Sequence, residues 1–511
     1  MSQLSEIWQP LKGVLSPKRT IAIVGGGFSG VLVATQLLKH SSTIAFQAVR
    51  STMAFQAVRS TIAPLEIKLI ESKSVLGRGV AYSTDISCHV LNVPAGKMSA
   101  FPDEPDHFFN WLEKQEDLLK ELGDETLTPG TFVPRKFYGI YGQVILEDAI
   151  RNAAPHVTFE WIKEDAIDIS PQGDKNEITL TNGDKIIADK IVLALGNFPP
   201  SNPTIDDPSF YQDQEHYISY PWGAHVFDSI KPDENILLIG SGLTMVDIAI
   251  GLKYQNHQGQ IYVVSRHGFL PQCHQASAPY HGLNLTKITP LSIRNLLHQV
   301  RQIIKEAETQ GINWRGVIDG IRPEMQTLWQ SLSLEEKRRF LRHLRPYWEI
   351  HRHRVAPKIF GLLQEILNSR QLQVIAGKVQ KFAVTPKGVD VFVKPRHSNN
   401  EELTRFTVNR VINCTGSECD YRQFQHPLIV NLRDRGLIRP DSLNLGLDVA
   451  SNGALIGEKG VVSSWLYTLG SPRKGCLWET TAIPEIRQQA IALSQEVGWV
   501  EKINPQTLDN I

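Results

Sequence analysis

The chain has 511 residues, with 53 Lys+Arg balanced by 53 Asp+Glu and an apolar fraction of 41%. Two or more domains are expected at that length, each able to bury its own core. Zero net charge argues against a bulk nucleic-acid binder, and the apolar content excludes a disordered chain. The most apolar stretch, Asn235–Leu252, is broken by Ser241, Thr244 and Asp247, so no membrane-spanning segment is expected. The first twenty residues lack a charged segment followed by an apolar one. The five cysteines, Cys88, Cys273, Cys414, Cys419 and Cys476, are odd in number and scattered. A cytoplasmic protein without disulfides or a metal centre is therefore expected.

In chain order, Ile21–Val24 reads as a short strand and stops at Gly25-Gly26-Gly27-Phe28-Ser29-Gly30; a helical pattern follows through Val31, Leu32, Ala34, Leu37 and Leu38. Strand, G-x-G-x-x-G and helix in that order form a dinucleotide fingerprint. Gly25 permits the tight turn, Gly27 lets backbone approach a pyrophosphate, and Gly30 lets helix and strand pack closely. The fingerprint also needs an acid at the end of the second strand. Ile67–Ile70 is that strand and Glu71 closes it, but 41 residues after Gly30. Ser42–Arg50 (STIAFQAVR) and Ser51–Arg59 (STMAFQAVR) are near-identical nonapeptides. Without those eighteen residues the separation is 23, close to the usual value of about 20. Residues 42–59 are accordingly expected to be a tolerated tandem insertion.

The same logic recurs at Ile236–Ile239, followed by Gly240-Ser241-Gly242-Leu243-Thr244-Met245 and a helical stretch from Val246 to Leu252. Its second strand, Ile261–Val264, ends at Ser265-Arg266. The plain reading of Arg266 is an exposed strand-end arginine, yet its place favours the 2′-phosphate of NADPH over NADH. Each half then repeats a further pattern. Val157–Ile162, Glu177–Thr181 and Lys185–Ile187 lead into Lys190–Leu195 and Gly196. Leu372–Ile375, Val379–Val384 and Val389–Val393 lead into Arg410–Thr415 and Gly416. Between the halves, 291–370 has helical periodicity in Leu296, Val300, Ile303 and Ile304 and again in Leu362, Leu363 and Ile366. Within it Lys337–Lys358 is rich in Arg, Lys and His, read as a solvated helix face anchored by Phe340, Tyr347 and Trp348.

Two such units in one chain resemble the flavoproteins with two dinucleotide-binding domains, FAD first and NAD(P)H second. Within them, the segments Gly77–Tyr82, His89–Pro102, Gly240–Asp247, Phe340–Trp348 and Leu466–Arg487 resemble the FAD/NAD(P)-binding family that includes bacterial FAD-dependent urate hydroxylase and L-aspartate N-monooxygenase. The resemblance implies that Arg78, Asn92 and Val93 line the FAD site. Asn92 would be the polar group nearest the reacting ring, unless it merely bonds its own backbone in a turn. It also implies that Gly470 lies at the FAD backbone and that a helix starting at Thr481, with Pro484, aims its positive end at the flavin. Cys414 and Cys419 have the C-x₄-C spacing of flavin disulfide reductases but follow the second site, so a redox disulfide is not expected.

The expected fold class is α/β, with two Rossmann-like dinucleotide-binding domains, β-meander crossovers and a helical insertion. The FAD domain would comprise 17–228 and 405–505, and the NADPH domain 229–404 with the insertion 291–370. Asn92 is the candidate catalytic residue. The candidate cofactor contacts are Gly25, Gly26, Gly27, Phe28, Ser29, Gly30, Glu71, Arg78, Asn92, Val93, Gly196, Gly470 and Thr481 for FAD. Those for NADPH are Gly240, Ser241, Gly242, Thr244 and Arg266. The expected activity is NADPH-dependent monooxygenation of a small molecule with O2 through a C4a-hydroperoxyflavin, the substrate being an amine or a purine-like ring. A reductase with another electron acceptor and a non-catalytic FAD/NADPH sensor are the alternatives. No nucleic-acid or membrane partner is expected.

Overall fold

The computed structural model describes residues 18–50, 63–396 apart from 224, 282, 284, 286 and 287, and 402–498. Its first half is β1 (Arg19–Val24), α1 (Phe28–Arg50), β2 (Leu65–Ile70), α2 (Arg135–Arg151), β3 (Val157–Ile162), β4 (Ala166–Gln172), β5 (Lys175–Leu180), β6 (Lys185–Ala188) and β7 (Lys190–Leu193). The second half comprises β8 (Tyr217–Ile218), β9 (Ile236–Ile239), α3 (Leu243–Tyr254), β10 (Ile261–Ser265), β11 (Leu372–Thr385), β12 (Gly388–Pro395), β13 (Thr404–Val408) and β14 (Arg410–Asn413). Between β10 and β11 run α4 (Ile293–Thr309), α5 (Trp314–Ile321), α6 (Met325–Ser331), α7 (Leu334–His343), α8 (Arg345–Arg352) and α9 (Pro357–Asn368). The chain then returns to the first half with β15 (Ala454–Ile456), β16 (Val462–Thr468) and α10 (Ile483–Gly498).

One sheet has the order β15-β16-β7-β1-β2-β3 and the other β13-β12-β11-β10-β9-β14-β8, with β4-β5-β6 as a separate antiparallel meander. Continuous apolar runs suit these central parallel strands because both faces are covered. Thus Ile21–Val24 and Ile236–Ile239 are buried throughout. Val31, Leu32, Ala34 and Leu37 of α1 are fully buried between the first sheet, α2 and α10. In both sheets the first strand lies between its successor and a much later strand, β7-β1-β2 and β14-β9-β10. Each half therefore has a topological switch point at the carboxyl end of its first strand, where open α/β sheets bind ligands.

The sheets divide differently from the expected borders. Tyr217–Ile218 and Thr404–Asn413 belong to the second sheet, because β14 pairs with β9 and β8, and β13 pairs with β12. The runs Leu372–Ile375 and Val379–Val384 form one strand, β11. Its first part, to Ala376, pairs with β10, and from Gly377 it pairs with β12, with a register irregularity between Val379 and Lys381. In the helical segment, Ser292, Asn313 and Ser333 cap α4, α5 and α7 by accepting backbone N–H bonds. The basic stretch is only partly a solvated face, since Arg354 is buried and pairs with Asp319 on α5. The first nonapeptide extends the backbone of α1; residues 51–62 lie outside the described residues. No helix among the described residues is long and apolar enough to cross a membrane.

Candidate cofactor and substrate site

At the first switch point Gly25 has φ +105° and its N–H donates to Ile70 O at 2.9 Å. A Cβ there would lie 2.4 Å from Ala194 O, so the loop can pass over β7 only with glycine. At Gly30 an added Cβ would fall 1.9 Å from Gly25 O, which is why α1 seats directly on the turn. Gly27 faces Gly79, leaving a shallow backbone cradle. Glu71 closes β2 as expected, but its carboxylate is already engaged with protein. Oε2 accepts from Gly26 N at 2.9 Å and Oε1 from Lys73 N at 3.1 Å. Arg78 reaches Asp85 at 3.6 Å, while its buried Nε has no partner among the described residues. A backbone cradle, an acid at the strand end and an orphaned guanidinium donor fit a nucleotide pyrophosphate and ribose.

The C-terminal return meets this loop. Gly470 (φ +73°) stands against Ser29, so that an added Cβ would be 3.7 Å from Ser29 Oγ. Gln489 Oε1 accepts from Gly470 N at 3.0 Å, and Gln489 Nε2 donates to Thr480 Oγ1 at 2.8 Å. Ser471 Oγ donates to Asn197 Oδ1 at 2.6 Å, which ties this turn to the Gly196 turn after β7. Phe28 packs in the loop against Tyr138 and Tyr82. The Leu91–Pro94 loop is pinned at both ends by Leu91 N to Val133 O and Ala95 N to Thr131 O, both 2.9 Å. Val93 packs on the first core. Asn92 is half-buried, and its side chain makes no hydrogen bond among the described residues, so it is not a turn Asn closed on its own backbone.

Thr481 does not cap the last helix. α10 begins at Ile483, with Ala482 O accepting from Ile486 N, so the cap lies one residue later than expected. Pro484 occupies the second helical position, within the first turn, where backbone N–H groups have no intrahelical partner and its missing N–H costs no helix bond.

The second loop repeats the first closely. Gly240 has φ +104°, its N–H donates to Val264 O at 2.8 Å, and an added Cβ would lie 2.5 Å from Cys414 O. Ser241 Oγ lies 2.6 Å from Phe269 O and 2.8 Å from Ser265 Oγ, which holds the loop against the end of β10. Gly242 occupies the cap of α3 with open space before it. Met245 replaces the third glycine and is fully buried in the second-half core. Gly240–Thr244, exposed Arg266 and Lys378 line a cleft of about 860 Å³ that extends to Asn197, Ser471 and Thr481. Cys414, Cys419 and the other cysteines are free thiols. The structure thus brings the NADPH-type contacts together with Thr481, while Gly196 and Gly470 each stand one residue before a lining residue, Asn197 and Ser471. Gly25–Gly30, Glu71, Arg78, Asn92 and Val93 lie outside that cleft.

The basic stretch Lys337–Lys358, read from its composition as a solvated face, contributes titratable residues to this cleft. Glu349 and His353, from α8 and just after it, line the same cleft. Burial holds the His353 imidazole below its ordinary pKa. His274 is pushed down to about 4, first by burial and then by Arg354, with Lys97 also near. For a base depressed in the folded state, protonation favours unfolding. The contribution of His274 is therefore fully present above pH ~6.5 and is lost as pH falls from there towards 4. NMR titration should find His274 neutral at pH 6, and His274→Gln should flatten this part of the acid limb of stability; a midpoint near 6.5 would contradict it. Among the described residues no group of three or more His, Cys, Asp or Glu is placed to hold a metal.

Comparison with known proteins agrees with this geometry. Residues 22–198 match the family model described as FAD-NAD(P)-binding. L-lysine 6-monooxygenase from Pseudomonas syringae aligns over 94% of this chain and 99% of its own, at 14% identity and TM-score 0.59. Ornithine hydroxylase from Pseudomonas aeruginosa does so over 94% and 99%, at 15% and 0.58. The Erwinia amylovora cadaverine monooxygenase, solved with FAD, aligns over 94% of both chains at 13% and 0.59. No curated protein sequence matches the chain. At such identities the likeness is one of fold.

Proposed function

We propose that this chain is an FAD-dependent monooxygenase that oxidises NADPH and adds one oxygen of O2 to the nitrogen of a small amine. The observation that carries the reading is the duplicated switch point. Two glycine loops with φ of +105° and +104° cross a neighbouring strand in the same way, and the second opens on a cleft that reaches Asn197, Ser471 and Thr481 of the first half. Gly25–Gly30, Glu71 and Arg78 would hold FAD, Gly240–Thr244 the NADPH pyrophosphate, and Arg266 with Lys378 its 2′-phosphate. The chemistry supplied by bound FAD is acceptance of hydride and activation of O2.

The residues of the chain bind, orient and exclude water. The amides at the start of α10 present a positive helix end beside the cleft, and Asn92 offers a free donor and acceptor from a pinned loop. An amine is preferred to a purine-like ring because similarly folded solved structures bear the names of lysine, ornithine and cadaverine oxygenases. A cytoplasmic enzyme with a small-molecule substrate accords with five free thiols.

The test is the visible spectrum of the purified protein before and after anaerobic NADPH, followed by aerobic turnover with diamines and amino acids. A yellow protein bleached by NADPH, whose NADPH use matches the hydroxylamine formed, is the expected result. A colourless protein, or one that NADPH leaves unbleached, would refute the reading. Turnover only with an added electron acceptor would replace it with a reductase.

A further inference from the structure

Asp247 stands on α3 one turn beyond the Gly240–Thr244 loop, yet its carboxylate is spent on the other half of the molecule. Oδ2 accepts from Arg135 Nη1 at 2.6 Å and Oδ1 from Arg135 Nη2 at 3.1 Å, a bidentate pair with side chains 20% and 15% exposed. Arg135 is the first residue of α2 in the FAD half. Its Nε donates to Val90 O at 2.9 Å and its backbone N–H to His89 O at 2.8 Å.

His89 closes the circuit. Its Nε2 lies 3.1 Å from Asp247 O and its Nδ1 2.9 Å from Thr84 Oγ1. A carbonyl can only accept, so Nε2 carries the proton and Nδ1 accepts from the threonine hydroxyl. Burial lowers the pKa of His89, in keeping with this neutral form. Around these bonds Ile86, Cys88, Val90 and Phe132 pack into the core of the NADPH half with Val246 and Ile250. Two residues after Val90 comes Asn92.

Resting on the functional reading above, we infer that Arg135–Asp247 is a positioning latch between the nucleotide and flavin sites. It couples occupancy of the Gly240–Thr244 loop to the placement of the Leu91–Pro94 loop. The coupling path is short: nucleotide on the amides at the start of α3, Asp247 one turn later, the Arg135 guanidinium, Val90 O, then the Asn92 loop. A bidentate guanidinium–carboxylate pair fixes both distance and angle. Two ligand sites can influence each other only through contacts that differ between states, and this pair is placed to be that contact.

The test uses the FAD-loaded protein and the variants Asp247→Asn and Arg135→Met. NADP⁺ is expected to slow hydrogen exchange of the 90–95 peptide in the parent protein and to leave it unchanged in both variants. Bound flavin per chain and its reduction by dithionite stay as in the parent, while reduction by saturating NADPH slows about tenfold. The double variant should be no slower than either single one. Asp247→Glu keeps the charge but lengthens the arm, so it separates positioning from folding; it too should lose the exchange response. Retained protection and unchanged NADPH reduction in Asp247→Asn would overturn the latch alone. A parent protein that binds flavin but not NADP⁺ would overturn the functional reading with it.

Discussion

Gly25→Ala is expected to give a colourless protein, whereas Gly240→Ala is expected to stay yellow but resist reduction by NADPH. The two substitutions are chemically identical and meet nearly identical surroundings. Each asks an L-residue to adopt a φ just above +100° and to place Cβ about 2.5 Å from a carbonyl oxygen, Ala194 O in one case and Cys414 O in the other. A left-handed backbone costs roughly 1–2 kcal/mol and overpacking about 1–3 kcal/mol more. Backbone on a central strand cannot yield as a flexible side chain can, so the loop itself must move. At about 3 kcal/mol the affinity of the displaced loop for its phosphate ligand falls roughly a hundredfold. Because the loops serve different ligands, the losses should separate. Flavin absorbance per chain reads the first, and NADPH bleaching against dithionite bleaching reads the second. If Gly240→Ala lost flavin while Gly25→Ala kept it, the assignment of the two halves would be reversed.

Both loops were legible in the sequence for the same reason that these variants should fail. A backbone that must cross a neighbouring strand with positive φ admits almost only glycine, so its geometry is written in residue type. The apolar runs Ile21–Val24 and Ile236–Ile239 were equally plain, because a central parallel strand is covered on both faces. What stayed hidden depended on partners distant along the chain. Nothing local distinguishes Arg135 as the partner of Asp247, 112 residues on. Nor does anything local tell that β13 and β14 complete the second sheet rather than the first. The cap of α10 is an intermediate case. Thr481 and Pro484 marked the helix start to within one residue, because a proline is tolerated throughout the first turn and does not single out one cap. The basic stretch misled by composition: a run rich in arginine reads as solvated until the fold supplies acids such as half-buried Asp319 and buried Glu479.

Glu479→Gln is expected to loosen the helical insertion from the flavin-binding half, and a second substitution should reverse the loss. Glu479 is buried just ahead of α10. It accepts from Trp348 Nε1 at 3.0 Å and faces Arg352 Nη2 at 3.8 Å, while its backbone O accepts from Gln326 Nε2 at 2.7 Å. Beside it Arg322 makes a bidentate pair with Glu485 at 2.8 and 2.9 Å, and Trp329 stacks on Trp478 at 5.0 Å. Glutamine can still accept from Trp348 but offers no charge to Arg352, whose buried Nε already lacks a partner among the described residues. Breaking a buried ion pair costs about 3–5 kcal/mol. The 3.8 Å separation places this one lower, at about 2–3 kcal/mol. Removing the cation as well leaves no unpaired charge, and such exchanges are often neutral. Arg352→Met added to Glu479→Gln, whose amide oxygen still accepts from Trp348 Nε1, should therefore recover most of the loss shown by Glu479→Gln alone. Calorimetry reads the stability, and hydrogen exchange at 345–352 and 479–485 locates it. If the double variant were less stable than the single one by a further 2 kcal/mol or so, the pair would be a net stabiliser of the junction, and the reading of Arg352 as a cation held in check by Glu479 would fail.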